Sequence, residues 1–324
     1  MDHTTRCSGP HLIHAGSHKT LRHGIAVEEL PIFCHPRLGG RTSSVCLMTD
    51  LDAKRERLLE LMGSLESCVV AFSAGVDSTV VAKAAQLALG DRAVAVTGTS
   101  ASLAEGELAE ARRLAGRIGI RHEVISTDEL DNPLYRQNAA DRCFHCKTEL
   151  YTHLAQYAGR WGLRVLVNGA NADDAGDYRP GMEAARQYAV RSPLAECDLG
   201  KQQVRELAAL WDLPVWNKPA APCLSSRVAY GQEVTPERLA MIDRAEQYLR
   251  SHGLQAVRVR YHQGDLARIE VPLETVPQVC RADVRGGLVE HFQKLGFKFV
   301  TLDLEGFRSG SLNTLLPIEA LTKY

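Results

Sequence analysis

The sequence predicts an α/β protein, a doubly wound parallel sheet followed by a smaller α+β C-terminal domain, and three observations carry that expectation. Short apolar runs alternate with helix-length patterns between residues 51 and 167, as strands joined by crossover helices do. The first run ends in Ser73-Ala74-Gly75-Val76-Asp77-Ser78, a turn that opens directly into a helical pattern. After Pro222 the texture changes to a helix start followed by two strand-like stretches.

Each element follows from local chemistry. Leu58, Met62 and Leu65 share one helical face of a segment beginning at Leu51. The run 68–72 is short and continuously apolar, as a strand covered on both faces should be. An Ala-rich helix over 79–89, a strand over 93–97, a helix over 105–118, a strand over 123–126, a helix over 148–160 and a strand over 164–167 extend the alternation. Thr235-Pro236-Glu237 places a capping hydroxyl before a proline at the first helical position, and this helix is expected to reach His252-Gly253. Strands over 256–261 and 267–271, separated by Gln263-Gly264-Asp265, then a helix over 288–295 and a strand over 297–302, complete the chain.

At 324 residues the chain exceeds one domain of ~100 to 200 residues. Residues 1–47 show no periodicity and hold six of the twelve histidines, so they are expected to be a disordered extension, with Met48 as the expected true start. Residues 48–225 form the expected nucleotide-binding domain, and 226–324 an α+β domain for substrate binding and homo-oligomer formation. A net charge of −1 and an isoelectric point near 6.9 leave no global positive field for a polyanion, which disfavours nucleic acid as main partner. No apolar run approaches the ~20 residues of a membrane span, and the basic-then-apolar layout of a secretory signal is missing. A cytoplasmic enzyme is the expectation.

The turn Ser73, Ala74, Gly75, Val76, Asp77, Ser78 lies where a strand ends and a helix begins, the place where open parallel sheets bind ligands. Backbone N–H groups and the two serine hydroxyls can hold phosphate oxygens there, aided by the helix dipole. Asp77 suits a Mg²⁺ ion shared with those oxygens. The motif resembles the SGGxDS signature of the PP-loop ATP pyrophosphatases (adenine nucleotide alpha hydrolase-like), with Ala74 where the commonest form has glycine. The plainer reading is an ordinary turn whose Ser, Gly and Asp only shape the chain. Thr97 and Ser100 follow the second strand and are candidates for the adenine and ribose wall. Asn171 and Asp173, in the loop after 164–167, are candidates for positioning nucleotide and Mg²⁺.

Cys143 and Cys146 form a C-x-x-C without the second pair of a four-cysteine zinc site, and Cys223 in Pro222-Cys223-Leu224-Ser225-Ser226-Arg227 is the remaining candidate partner. Three thiolates suit an iron–sulfur cluster with one open iron, or a catalytic thiol beside a redox pair; three unrelated buried cysteines are the plainer reading. Lys218 or Arg227 is expected to favour the charged form of Cys223. Arg258 and Arg260 alternate along a strand and, with Arg308, are candidates for a substrate phosphate.

SAGVDS, NGANADDAGDYRPG, RSPLAE, KQQVRELAALWDLPVWNKPAAPCLSSR and FRSGSLN together resemble the LarE family, over roughly residues 50–315. The resemblance implies an ATP-dependent sulfur transferase of nickel-pincer nucleotide synthesis. ATP adenylates a carboxylate of pyridinium-3,5-biscarboxylic acid mononucleotide, pyrophosphate leaves, and sulfur displaces AMP to give a thiocarboxylate. In one family version the cysteine matching Cys223 gives up its own sulfur and becomes dehydroalanine; in another, three cysteines hold a [4Fe-4S] cluster carrying an extra sulfide. The presence of Cys143 and Cys146 makes the cluster version the expectation here. Partners implied are the mononucleotide and other nickel-pincer synthesis proteins. Rival readings are a PP-loop tRNA-thiolating enzyme, an ammonia-using synthetase of the NAD or GMP synthetase type, and a nucleotide-binding scaffold without catalysis.

Overall fold

In the computed structural model the described residues are 49–176, 180–308 and 310–317, so the expectations for 1–47 and for Met48 lie outside them. Helix α1 (Asp50–Ser64) starts behind Thr49, whose hydroxyl accepts from the Asp52 N–H while the Asp52 carboxylate accepts from the Thr49 N–H. Its Leu58 and Met62 are fully buried. Strand β1 (Cys68–Ala71), α2 (Val76–Leu89), β2 (Ala93–Thr99), α3 (Glu107–Ile118), β3 (Arg121–Ser126), the single turn α4 (Pro133–Arg136), α5 (Arg142–Trp161) and β4 (Val165–Val167) follow. Then come α6 (Pro180–Gln187), the single turn α7 (Pro193–Glu196) and α8 (Lys201–Leu210).

The four strands are parallel in the order β3-β2-β1-β4. From β1 the chain runs outward to β2 and β3, then returns through α5 to the opposite side of β1, so the order reverses between β1 and β4. A crevice opens beyond the strand ends at such a switch point. Alternating side chains feed two cores. Cys68 and Val70 join Leu58, Met62, Val80, Leu114 and Leu207 on one face, while Val69, Val94, Val96 and Ile125 join Tyr151, Leu154 and Ala184 on the other. Burial on both faces is why these strands read as continuous apolar runs.

In the second half, α9 (Pro236–Ser251) is capped by Thr235, whose side chain accepts from the Arg238 N–H. Strands β5 (Arg258–His262) and β6 (Leu266–Glu270) form an antiparallel hairpin. Its turn needs Gly264 and Asp265 at φ 80° and 58°, the left-handed region. Helices α10 (Val276–Cys280) and α11 (Ala282–Leu295) carry the chain to β7 (Phe299–Leu302), which pairs parallel to β6. The core here combines Leu239, Ile242, Val259, Ile269, Phe292 and Phe297 with Tyr135 from α4. The first half thus contributes a buried side chain to the second. Helix α5 starts at Arg142 rather than near 148, so both C-x-x-C cysteines lie in its first turns. Among the described residues no helix is long and apolar enough to cross a membrane.

Candidate active site

The phosphate turn sits on the crevice. Phe72 N–H donates to Val96 O at 2.8 Å, and Ala74 then takes φ 56°, reversing the chain so that Gly75 caps α2. The Ser73 and Ser78 hydroxyls lie 3.2 Å apart, Ser73 N–H donates to Ser78 Oγ at 3.3 Å, and Ser78 Oγ donates to Gly75 O at 3.1 Å. A closed ring of small groups is left around the helix start, where N–H groups and the dipole favour an anion. The loop after β4 presses against it: a Cβ on Gly169 would lie 2.7 Å from Ser78 N. A cavity of about 870 Å³ spans this point, bordered by Ser73, Gly75, Asp77, Ser78, Thr97, Ser100, Asn171, Asp173, Cys143, Cys146 and Cys223. Ala74 and Val76 are buried behind the loop.

Several of these side chains already have structural duties. Asp77 accepts from Asn171 Nδ2 at 3.1 Å and from Lys201 Nζ at 2.5 Å. Asp173 accepts from the Lys201 backbone N–H at 2.7 Å at the start of α8, where a carboxylate complements the helix dipole. Asp77 and Asp173 are hard oxygen donors of the kind Mg²⁺ takes, and an ammonium already neutralises one of them. Thr97 Oγ1 donates to Phe72 O at 2.8 Å, so His122 Nε2, also at 2.8 Å, is the donor to Thr97. Ser100 Oγ donates to Glu129 Oε1 at 2.5 Å.

All three candidate cysteines face the same cavity. Cys143 and Cys223 are exposed, and Cys146 is partly covered. Burial, with Cys223 adding to it, pushes the Cys146 thiol up to about 12. The donors are soft, as a cluster requires. Among the described residues, however, no three His, Cys, Asp or Glu side chains are grouped as a ready metal site. Cys223 heads a short 3₁₀ turn: Leu224 N–H donates to Ser102 O at 2.9 Å, and Arg227 Nη1 donates to Cys223 O at 3.1 Å. The cations expected to favour its thiolate are committed elsewhere. Lys218 Nζ donates to Glu107 at 2.9 Å, and Arg227 Nε to the buried Glu246 at 3.0 Å.

Arg258 and Arg260 lie on β5 and Arg308 in the segment after β7, and none of the three borders the cavity. Arg260 is buried and donates to Glu270 at 2.9 Å, Ser311 Oγ at 3.0 Å and Ser226 O at 2.9 Å. Arg308 pairs with Asp303 and Glu305. Arg258 Nη1 donates to Arg308 O at 3.3 Å and its guanidinium lies 4.4 Å from the Phe307 ring, and among the described residues it has no carboxylate partner. Burial, then Arg260 and Arg227, hold its pKa down at about 10.

A family model described as NAD synthase matches residues 55–149. A Lactiplantibacillus plantarum protein named pyridinium-3,5-bisthiocarboxylic acid mononucleotide synthase is 37% identical over 270 residues, 83% of this chain and 97% of that protein. The chain belongs to the LarE family. An uncharacterised Synechocystis protein is 48% identical over 266 residues, 82% of this chain and 99% of its own, and an uncharacterised Methanocaldococcus jannaschii protein is 26% identical over 260, 78% and 98%. As a LarE-family chain with a PP-loop, this is an ATP-using enzyme of the synthase type.

The structure also brings forward residues of this LarE-family site that the sequence did not single out. Glu129 is buried and accepts from Ser102 Oγ at 3.0 Å as well as from Ser100. Tyr135 OH stands 2.7 Å from Ser102 Oγ and 2.6 Å from Ser225 Oγ. Arg142 Nη1 donates to Ser225 O at 2.8 Å. These contacts fasten the Cys223 turn to the loop after β2 and to the first turn of α5, which is how three distant cysteines come to one cavity. Ser225 stood in the Pro222–Arg227 motif, and no sequence signal marked Glu129 or Tyr135.

Proposed function

We propose that the chain uses ATP to adenylate a carboxylate of pyridinium-3,5-biscarboxylic acid mononucleotide and converts it to a thiocarboxylate with sulfur from Cys223. The observation that carries this reading is that the Cys223 thiol and the phosphate turn border one cavity. In the first step a carboxylate oxygen bonds to the α-phosphorus and the bond to the β-phosphate breaks, releasing pyrophosphate. Ser73 to Ser78 hold the phosphates, Thr97, Ser100 and Asn171 border the nucleotide, and Asp77 and Asp173 hold Mg²⁺, which supplies charge neutralisation when bound. The Cys223 thiolate then attacks the acyl carbon and AMP leaves. Loss of the Cα proton with cleavage of the Cβ–S bond yields the thiocarboxylate and dehydroalanine at position 223. Arg258, Arg260 and Arg308 are assigned the mononucleotide phosphate. That Arg258 has no carboxylate partner among the described residues supports this, and Arg258→Ala is expected to weaken mononucleotide binding.

A second reading is favoured by the shared cavity of Cys143, Cys146 and Cys223: these thiols hold a [4Fe-4S] cluster, which when bound supplies a sulfide in place of the cysteine sulfur. Free cysteines fit a reducing, cytoplasmic setting. Exposed Leu273, Phe299 and Leu304 support assembly into a homo-oligomer through the second half, or contact with other cofactor-synthesis proteins. The deciding experiment measures pyrophosphate release and the protein mass after one reaction. Release that depends on the mononucleotide, with loss of one H₂S at Cys223, is the expected result. Unchanged mass with product formed, and iron and sulfide in anaerobically purified protein, selects the cluster. Release that depends on tRNA instead overturns both readings.

A further inference from the structure

Lys147 is a cation on the cavity wall, and among the described residues no carboxylate is paired with it. It lies on α5 directly after Cys146 and one turn beyond Cys143, and it borders the cavity with the three cysteines. Its stem is fixed, because α6 begins against it: a Cβ on Gly181 would come within 3.0 Å of Lys147 Cγ. Its ammonium lies over the Tyr151 ring, 6.0 Å from the centroid. The other lysine on this wall, Lys201, is neutralised by Asp77. A lysine side chain ordinarily carries its proton at neutral pH.

A half-buried, unpaired charge held in a cavity is costly unless a ligand brings the opposite charge. The phosphate turn at one end of the cavity has its own N–H groups and helix dipole for ATP. The cysteine end has Lys147. An acceptor carboxylate that must approach an anionic α-phosphate is repelled by it, and a fixed cation beside the approach offsets that repulsion.

We propose that Lys147 is the docking cation for the acceptor's carboxylate, holding the acceptor between the phosphate turn and Cys223. The assignment rests on the function proposed above and deepens it, since it makes an acidic group at the reacting end of the acceptor a condition of binding. The side chain touches substrate and moves no proton.

Isothermal titration of pyridinium-3,5-biscarboxylic acid mononucleotide and, separately, of α,β-methylene-ATP into wild type, Lys147→Gln and Lys147→Arg tests it. The expected result is a loss of about tenfold or more in mononucleotide affinity for Lys147→Gln, unchanged affinity for the ATP analogue, and recovery of most of the loss in Lys147→Arg. Unchanged mononucleotide affinity in Lys147→Gln overturns the assignment and leaves the proposed function standing. A loss for the ATP analogue, alone or alongside an equal loss for the mononucleotide, also overturns it, since the cation then serves the phosphates or the cavity as a whole. Wild-type protein that takes up the analogue but not the mononucleotide removes the proposed function itself, and this assignment with it.

Discussion

Ala74 and Gly169 set the shape of the phosphate turn from opposite sides. Ala74 occupies a left-handed conformation that costs an L-residue about 1–2 kcal/mol, whereas glycine adopts it freely at an entropic cost of about 0.5–1 kcal/mol. Ala74→Gly is therefore expected to raise stability slightly, by up to about 1 kcal/mol, with ATP binding retained, as read from the melting temperature and a titration. Gly169→Ala does the reverse. Its methyl would meet Ser78 N at 2.7 Å, so the turn must shift; a destabilisation of about 1–3 kcal/mol and a marked loss of ATP affinity are expected. His122, beneath the same turn, gives a pH signature. Burial, joined by Arg112 and opposed by Glu123, holds its pKa below the ordinary 6.5, so the folded protein resists a proton that the unfolded chain accepts. Its contribution to stability is complete above pH 6.5 and is lost as pH falls from there through the depressed value. Denaturant titrations between pH 7.5 and 5 are expected to show a steeper acid loss for wild type than for His122→Gln. The phosphate turn was legible in sequence because a strand end, small residues and a helix start are all local. The pressure of Gly169 on Ser78 was not, since it joins two loops distant in the chain.

At the level of elements, the sequence predicted the four parallel strands and the two strands that turn out to form the hairpin, because burial and turn chemistry leave continuous or alternating apolar patterns. Helices α4 and α7 are single turns, too short to carry a period, and α4 is the one that supplies Tyr135. Tyr135 OH links the loop after β2 to the Cys223 turn, and its burial raises the phenol pKa well above the ordinary value, so it remains protonated. Tyr135→Phe removes one partner from each of two buried serine hydroxyls, which keep each other at 3.1 Å and, for Ser102, Glu129 at 3.0 Å, at a cost of about 0.5–1.5 kcal/mol. ATP binding is expected to survive, because the phosphate turn draws no bond from this network, while sulfur transfer slows; single-turnover kinetics with separate readouts for pyrophosphate and thiocarboxylate check this. The candidate cysteines were legible as residue types, but their convergence depends on Arg142 and Tyr135 fastening the turn to α5. Lys218 and Arg227 were read as thiolate partners from nearness in sequence, yet their heads go to Glu107 and Glu246.

Across the whole molecule, a boundary after residue 225 cuts through a shared core. Tyr135 belongs to the cluster of α9, β5, β6 and α11, with Ala104 and Leu130 packed against it. Asn138 Nδ2 donates to Val228 O at 3.1 Å and Ala229 O at 2.8 Å. A chain ending at residue 225 is expected to lose cooperative melting and to bind a hydrophobic dye, whereas the full chain melts in one transition; calorimetry on both decides. The reversal of strand order between β1 and β4 also governs how the protein is made. Asn171 meets Asp77 from 94 residues away along the chain, so a ribosome must deliver all the intervening polypeptide before the two lips of the crevice can close. Nucleotide capture by a nascent chain is thereby postponed until that long-range docking is complete, and it can serve as a report that the first sheet has been finished.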